Sequence, residues 1–148
     1  MKKLVLILHF LLASIATTLI ACLLQTQMVL LGLTKLDIHV SLSDRVYMSW
    51  QDLLGLIPTY GGIITLGLLI GFGVCKLIIL YSPFKSPFLY IFAGGAAMAV
   101  ILLAMQPVMG ITLVAGARSA LGIALQVVAG MLGGFCFMRL RRYQHSAN

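Results

Sequence analysis

The chain has 148 residues, of which 61% are hydrophobic and only 9% are charged, and its formal net charge is +7. Soluble domains contain about 45–50% apolar and about 25% charged residues, and a domain of this length could not bury so much apolar surface. The composition therefore excludes an ordinary soluble domain and indicates an integral membrane protein. Most Lys and Arg residues lie at the edges of apolar runs, a pattern that orients membrane helices and argues against nucleic-acid binding.

Four apolar runs are long enough to cross a bilayer. We expect spans at approximately 4–30, 59–80, 88–105 and 120–138, separated by external segments at 34–57 and 106–119, in one transmembrane domain over residues 1–148. The predicted fold is all-α, a four-helix transmembrane bundle with an amphipathic external interfacial helix between spans 1 and 2. With the N-terminus inside, seven of the ten basic residues are cytoplasmic and all three acids are external. The positive-inside tendency then predicts a multi-pass inner-membrane protein with both termini in the cytoplasm.

The first apolar run begins after Lys2 and Lys3, which is also how a signal peptide begins. Residues 19–22, Leu-Ile-Ala-Cys, resemble a lipoprotein processing site, and Cys22 would then be the lipidated residue. The chain stays apolar well beyond Cys22, as a spanning helix does. We therefore expect an uncleaved anchor helix, with a lipoprotein processed at Cys22 as the alternative.

Residues 34–57 form the one extended polar segment, and Ser43 followed by Asp44 predicts a helix start there. At 100° per residue the helix has an apolar face made of Val46, Tyr47, Trp50, Leu53, Leu54 and Ile57. Tyr47 and Trp50 on this face are candidate interfacial anchors, so we expect the helix to lie flat in the membrane interface. Capping the bundle or meeting a partner is the alternative. Pro58 fits the first turn of the next helix.

The segment 106–119 is unusually apolar for an external loop and carries no charge before Arg118. We expect it to pack as a lid on the bundle, with a re-entrant loop as the alternative. Arg118 precedes span 4 and is a candidate contact for an anion, such as a lipid phosphate or the carboxylate of a partner. An internal ion pair with Asp44 or Asp52 is the competing interpretation.

Small residues recur at helical spacing in the last three spans, and in lipid such residues permit close helix packing. The candidate helix-packing positions are Gly67, Gly71, Gly122, Gly130 and Gly134. Gln126 lies on the same face of span 4 as Gly122 and Gly130, and it would be costly facing lipid. We expect Gln126 to face the bundle and make an intramembrane polar contact. Bundle packing or association of two copies accounts for this pattern.

The spans lack the groups that several kinds of membrane function need. No predicted span holds Asp or Glu, which argues against transport driven by protons or sodium. Only His9 lies within a span, which argues against haem. The polar loop holds His39 with Asp37, Asp44 and several serines, but such a cluster in a short loop is typical of solvated surface and not of a hydrolytic site. The three cysteines are isolated, so a disulfide framework is not expected. We predict no catalytic, metal-binding or cofactor-binding residues.

The sequence therefore predicts a non-catalytic accessory or interaction subunit, whose partners are the lipid bilayer and either itself or another membrane protein. The alternative is a small channel or carrier for a neutral or lipidic solute, with Gln126 and residues 106–118 lining the path. A water-accessible cavity reaching Gln126 would favour the carrier. A sealed bundle with an exposed face of small residues would favour the subunit.

Overall fold

The computed structural model describes residues 2–34, 41–81, 86–109 and 119–146, with side chains over 4–33, 41–81, 86–105 and 119–142. These residues are almost entirely helical, and no strand occurs among them. The helices are α1 (Lys2–Thr34), α2 (Leu42–Leu56), α3 (Gly62–Tyr81), α4 (Leu89–Met109) and α5 (Ala120–Ser146). A five-residue π-helical segment, Ile57–Gly61, joins α2 directly to α3. The predicted all-α membrane fold is confirmed.

Three helical stretches are long and apolar enough to cross a membrane, namely Leu4–Leu33, Leu42–Tyr81 and Ala120–Arg142. The apolar part of α4, Leu89–Met105, is shorter, although its length still lies within the range of about 17–25 residues that can span a bilayer. These stretches contain the predicted spans almost completely. The protein is therefore a multi-pass helical membrane protein.

The helices form a ring in the order α1, α3, α4, α5, in which each helix is antiparallel to its neighbours. Along α1, Ser14 bonds to Thr65 across 2.6 Å, and further on Thr26 bonds to Asp52 across 2.8 Å. The residue numbers of the partners thus fall as the residue numbers along α1 rise. The two helices, α1 and the continuous α2–α3, therefore form one long antiparallel hairpin. The remaining faces of this hairpin pack against α4 and α5.

Glycines set the separation between α4 and α5. A Cβ atom added at Gly94 would overlap the carbonyl of Gly130, and one added at Gly130 would overlap the carbonyl of Gly94. One turn along, a Cβ at Gly134 would overlap the backbone of Tyr90. The two helices therefore touch backbone to backbone, which is the contact that small residues permit in a membrane.

The other predicted packing glycines also lie within the bundle. A Cβ on Gly71 would be 3.0 Å from Ala97 Cβ, and a Cβ on Gly67 would overlap Ile101, so both glycines serve the α3–α4 contact. Gly122 is buried at the start of α5, where its amide donates to the Ser119 hydroxyl at 3.0 Å. The small residues thus hold together one copy of the chain.

The amphipathic helix begins earlier than predicted, because Ser41 and not Ser43 is its N-cap. The Ser41 hydroxyl accepts from the Asp44 amide at 3.2 Å, and the Asp44 carboxylate accepts from the Ser41 amide at 3.1 Å. This reciprocal capping box satisfies two amides at the helix start. Ser43 lacks such a partner three residues on, since position 46 is Val.

No break separates α2 from α3, in contrast to the prediction that Pro58 opens a new helix. Proline has no amide hydrogen to donate and its ring crowds the preceding turn, so it removes one hydrogen bond and distorts the helix that contains it. Here the helix widens into the π-helical turns of Ile57–Gly61 and continues. As a result α2 lies along α1, and its partly buried side carries Arg45, Ser49 and Asp52.

An aromatic cluster joins all four helical rods at the end of the bundle opposite α2. Phe72 of α3 stacks on Phe137 of α5 with ring centroids 4.8 Å apart, and both rings contact Tyr90 of α4 edge to face. Phe10 of α1 also meets Phe72 edge to face, at 6.2 Å. The Arg141 guanidinium lies 5.4 Å from the centre of the Tyr90 ring and donates to the Tyr90 hydroxyl. This end is closed by ring packing and a cation–π contact.

We expect Gly134→Ala to destabilise the bundle by about 1–3 kcal/mol, because its Cβ would overlap the Tyr90 backbone and force α4 away from α5. Gly73→Ala is the matched control, since a Cβ at Gly73 would meet nothing within 4 Å. SDS titration of the two purified variants in mild detergent, followed by circular dichroism, measures the difference. Equal midpoints for the two variants would contradict the backbone contact.

Candidate functional site

Gln126 is fully inside the bundle, 1% exposed, and its amide joins two other helical rods. Its Nε2 donates to the Ala21 carbonyl of α1 at 3.0 Å, and its Oε1 accepts from the Tyr60 hydroxyl at 3.1 Å. Ala21 lies in α1 and Tyr60 in the π-helical segment. The polar contact expected for Gln126 is thus a three-way connection at one level of the bundle.

The π-helical segment is what aims Tyr60 at Gln126. Tyr60 and Gly61 are the buried residues of this segment, and a Cβ on Gly61 would lie 3.0 Å from Thr18 Cγ2 of α1. The absence of a side chain at Gly61 lets α1 pass close to the widened turn. Widened π turns often occur at functional positions, and this one carries the only tyrosine that bonds to another helix in this half of the described bundle.

A stripe of buried hydroxyl groups runs along α1. Thr17, Thr18 and Thr26 each donate to the carbonyl four residues earlier, at 2.7, 2.9 and 3.0 Å. Ser14 also bonds to Thr65 of α3, whose own hydroxyl is 2.7 Å from the Gly61 carbonyl. Such back-bonding satisfies hydroxyls inside a helix without water. The stripe therefore forms a buried polar seam along α1.

Asp52 brings a carboxylate against α1. The predicted spans contain no acid, yet Asp52 belongs to the continuous Leu42–Tyr81 helix and accepts a 2.8 Å hydrogen bond from Thr26. Its side chain is half-buried. The hydroxyl of Thr26 in turn lies one helical turn after Cys22, a buried free thiol. The carboxylate thus sits at the α2 end of the polar seam.

Gln25 is the one buried side-chain amide in the described part of the chain whose oxygen has no hydrogen-bond partner there. The residue is 5% exposed and follows Ala21 by one turn on the same face of α1. In a bilayer such an oxygen is costly unless a neighbour or a water reaches it. The polar seam is therefore incomplete at this level.

A groove between α3 and α4 has a volume of about 770 Å³. Its floor is built from small residues, including Gly67, Gly71 and Ala97, and its walls are large apolar side chains such as Leu66 and Phe92. It opens on the outside of the bundle, and Gln126 is not among its lining residues. The groove is thus an apolar, lipid-facing surface, separate from the polar seam.

The remaining predicted sites have different outcomes. Arg118 and residues 110–117 of the predicted external segment 106–119 lie outside the described residues, whereas residues 106–109 continue α4, which ends at Met109 and not at 105 as predicted. Tyr47 and Trp50 are exposed, at 64% and 59%. Among the described residues, no group of three or more His, Cys, Asp or Glu side chains lies close enough to hold a metal ion.

Sequence reasoning missed Tyr60, Thr26 and Asp52 as members of one polar seam. The signal for Tyr60 was the Pro58 that precedes it, since a proline inside a continuous apolar run is a common cause of a distorted helix. The signal for Thr26 was the repeated Ser and Thr along one face of α1. Neither pattern reveals which residues of the α2–α3 helix lie opposite the hydroxyl groups of α1.

No protein-family model, no curated protein and no solved structure matches this chain in comparisons with known proteins. The interpretation of the site therefore depends on its geometry.

A double-mutant cycle tests the connection between Tyr60 and Gln126. We expect Tyr60→Phe and Gln126→Leu each to destabilise the bundle, and the pair to show a coupling of about 0.6–1 kcal/mol, typical of interhelical hydrogen bonds in membranes. SDS-induced unfolding of the two single variants and the double variant measures it. Tyr47→Phe, at an exposed tyrosine, is the control and should leave the unfolding midpoint unchanged. Strict additivity of the two single changes would rule out the bond.

Proposed function

We propose that this protein is a non-catalytic membrane subunit that holds a transmembrane helix of another membrane protein in the groove between α3 and α4. The observation that carries the proposal is an exposed apolar groove that has a floor of small residues and is separate from the buried polar seam. Within lipid, helices associate through close packing over small residues, because apolar surface alone gives no driving force. The groove offers such a floor.

The dimensions of the groove suit one helix. Its lining on α3 extends from Ile63 to Ile78, which is about 22 Å at 1.5 Å per residue. That length covers most of the hydrocarbon thickness of about 30 Å. Leu66 and Ile70 form one wall, and Phe92 and Val100 form the other, so a helix lying between them would be held on both sides.

The interior of the bundle supports a subunit better than a carrier. Both polar atoms of the Gln126 amide are used within the chain, by Tyr60 and Ala21. Thr17 and Thr26 are almost completely buried, and their hydroxyls also have internal partners. A carrier for a neutral or lipidic solute would need an open path past Gln126, and in this seam only the Gln25 Oε1 lacks a partner among the described residues, which favours the subunit.

We further propose an inner-membrane location with both termini in the cytoplasm. Arg139, Arg141 and Arg142 lie together at the end of α5, whereas Asp44 and Asp52 lie on α2 at the opposite end of the bundle. This charge difference agrees with the positive-inside tendency. The position of Cys22 in the middle of α1 supports an uncleaved anchor, because processing there would remove the residues that contact α3 and α5.

Site-specific photocrosslinking in intact membranes tests the proposed function. We expect a photoreactive phenylalanine at Leu66, which lines the groove, to form an adduct of discrete mass with one other membrane protein. Leu69 is the matched control, because it is on the same helix and similarly exposed, 55% against 61%, but lies outside the groove. Mass spectrometry identifies the adduct.

The results separate the alternatives. An adduct with another membrane protein at Leu66 but not at Leu69 would support the proposed subunit. An adduct with a second copy of this chain would show that the groove mediates self-association instead. Adducts with lipid alone at both positions would overturn the proposal.

A further inference from the structure

We infer that the recess between α1 and α2 is a binding site for one anionic phospholipid, whose phosphate is held by Arg45. The recess has a volume of about 290 Å³. It is separate from the α3–α4 groove and does not depend on the function proposed for that groove. The inference comes from its chemistry, its unpaired charge and its depth.

The recess has both polar and apolar lining residues, which match the polar headgroup and the apolar chains of a lipid. Its lining residues are Leu23, Gln27, Arg45, Val46, Ser49, Trp50 and Leu53. Arg45 and Gln27 can donate hydrogen bonds to phosphate oxygens, and a guanidinium is suited to bind two of them at once. The leucines and Val46 offer apolar surface to the start of an acyl chain.

Arg45 has no acid partner among the described residues, although two carboxylates are on the same helix. The Asp44 carboxylate is held by the capping box with Ser41, which bonds to it through its amide and its hydroxyl. The Asp52 carboxylate is two turns away and accepts from Thr26. The positive charge that lines the recess is therefore available to an external anion, and no carboxylate lines the recess itself.

The depth of the recess agrees with the level of lipid headgroups. The apolar stretch of α1 begins at Leu4, and a helix needs about 20 residues to cross the hydrocarbon core. Counting from Leu4, that distance ends at Leu23, and Gln27 follows one turn later. Both residues line the recess, so Arg45 opposite them lies where phosphates are found.

The aromatic side chains of α2 strengthen this assignment. Trp50 lines the recess and is also part of a shallower recess on the next face of α2, together with Tyr47. The Tyr47 hydroxyl accepts a 3.0 Å bond from Gln51, which leaves the ring outward. Exposed Trp and Tyr are typical of the boundary between hydrocarbon and headgroups. A lipid chain leaving the recess would pass over the Trp50 ring.

Trp50 is the only tryptophan of the chain, so tryptophan fluorescence reports on lipid contacts at this one side chain, and the Arg45 variant distinguishes the recess from the surrounding surface. We would reconstitute the full-length protein in phosphatidylcholine vesicles that contain a second lipid with brominated acyl chains, which quench tryptophan on contact. The second lipid is either phosphatidylglycerol or phosphatidylcholine. We expect brominated phosphatidylglycerol to quench Trp50 at a mole fraction about fivefold lower than brominated phosphatidylcholine, the preference that one basic residue near the surface provides.

Arg45→Gln should remove the preference while brominated phosphatidylcholine still quenches normally. Arg142→Gln is the matched control, because it removes an exposed arginine on α5 and should leave the preference unchanged. If Arg45→Gln does not fold, Arg45→Lys serves instead and should weaken the preference, since an ammonium binds phosphate as a point charge. Addition of inorganic phosphate to the wild-type vesicles should not reverse the quenching.

Equal quenching by the two lipids would overturn the inference, because Trp50 would then contact only ordinary surrounding lipid. A preference that survives Arg45→Gln would also overturn it, by placing the recognition elsewhere. If inorganic phosphate reversed the quenching, the ligand of the recess would be a free anion and not a lipid.

Discussion

The hydrogen-bonded connection from Tyr60 through Gln126 to the Ala21 carbonyl ties together three parts of the chain that are distant in sequence. A glutamine side chain inside a bilayer must find partners, since lipid offers none. Meeting that requirement fixes the rotation of α5 relative to α1 and the direction in which the π-helical turn projects its tyrosine. The recess lies between α1 and the helix that continues from the π-helical turn, so its shape depends on this connection.

The bundle separates its contacts by type. The interior combines small residues, threonines and two glutamines with apolar side chains such as Leu68 and Phe72, whereas many other large aliphatic side chains, such as Leu69 and Leu103, face outward. The outward aliphatic surface suits lipid, which covers it at no cost, while close backbone contact and hydrogen bonds hold the helices together. The groove and the recess stand out as the places where an outward surface is concave.

Composition and periodicity were sufficient to predict the helical membrane fold and the orientation of Gln126, because hydrophobic length and the cost of a lone amide are local properties. The continuity of α2 with α3 was not predictable in the same way. Pro58 is typical of a helix start. In the structure the helix instead widens at Ile57–Gly61 and continues, with Gly61 packed against Thr18 of α1. The pairing of Thr26 with Asp52 depends on that continuity, so it was hidden too. Arg118 lies outside the described residues, and its role stays a prediction.

The length of α1 has a mechanical consequence. Its apolar stretch has 30 residues and is about 45 Å long, whereas the hydrocarbon core is about 30 Å thick. Tilt alone would need an angle of about 48°, beyond the range of tilts seen for membrane helices. One end of the hairpin of α1 and α2 therefore projects beyond the hydrocarbon as a stiff two-helix arm. A thinner bilayer would uncover more of this arm, and a thicker one would cover more of it.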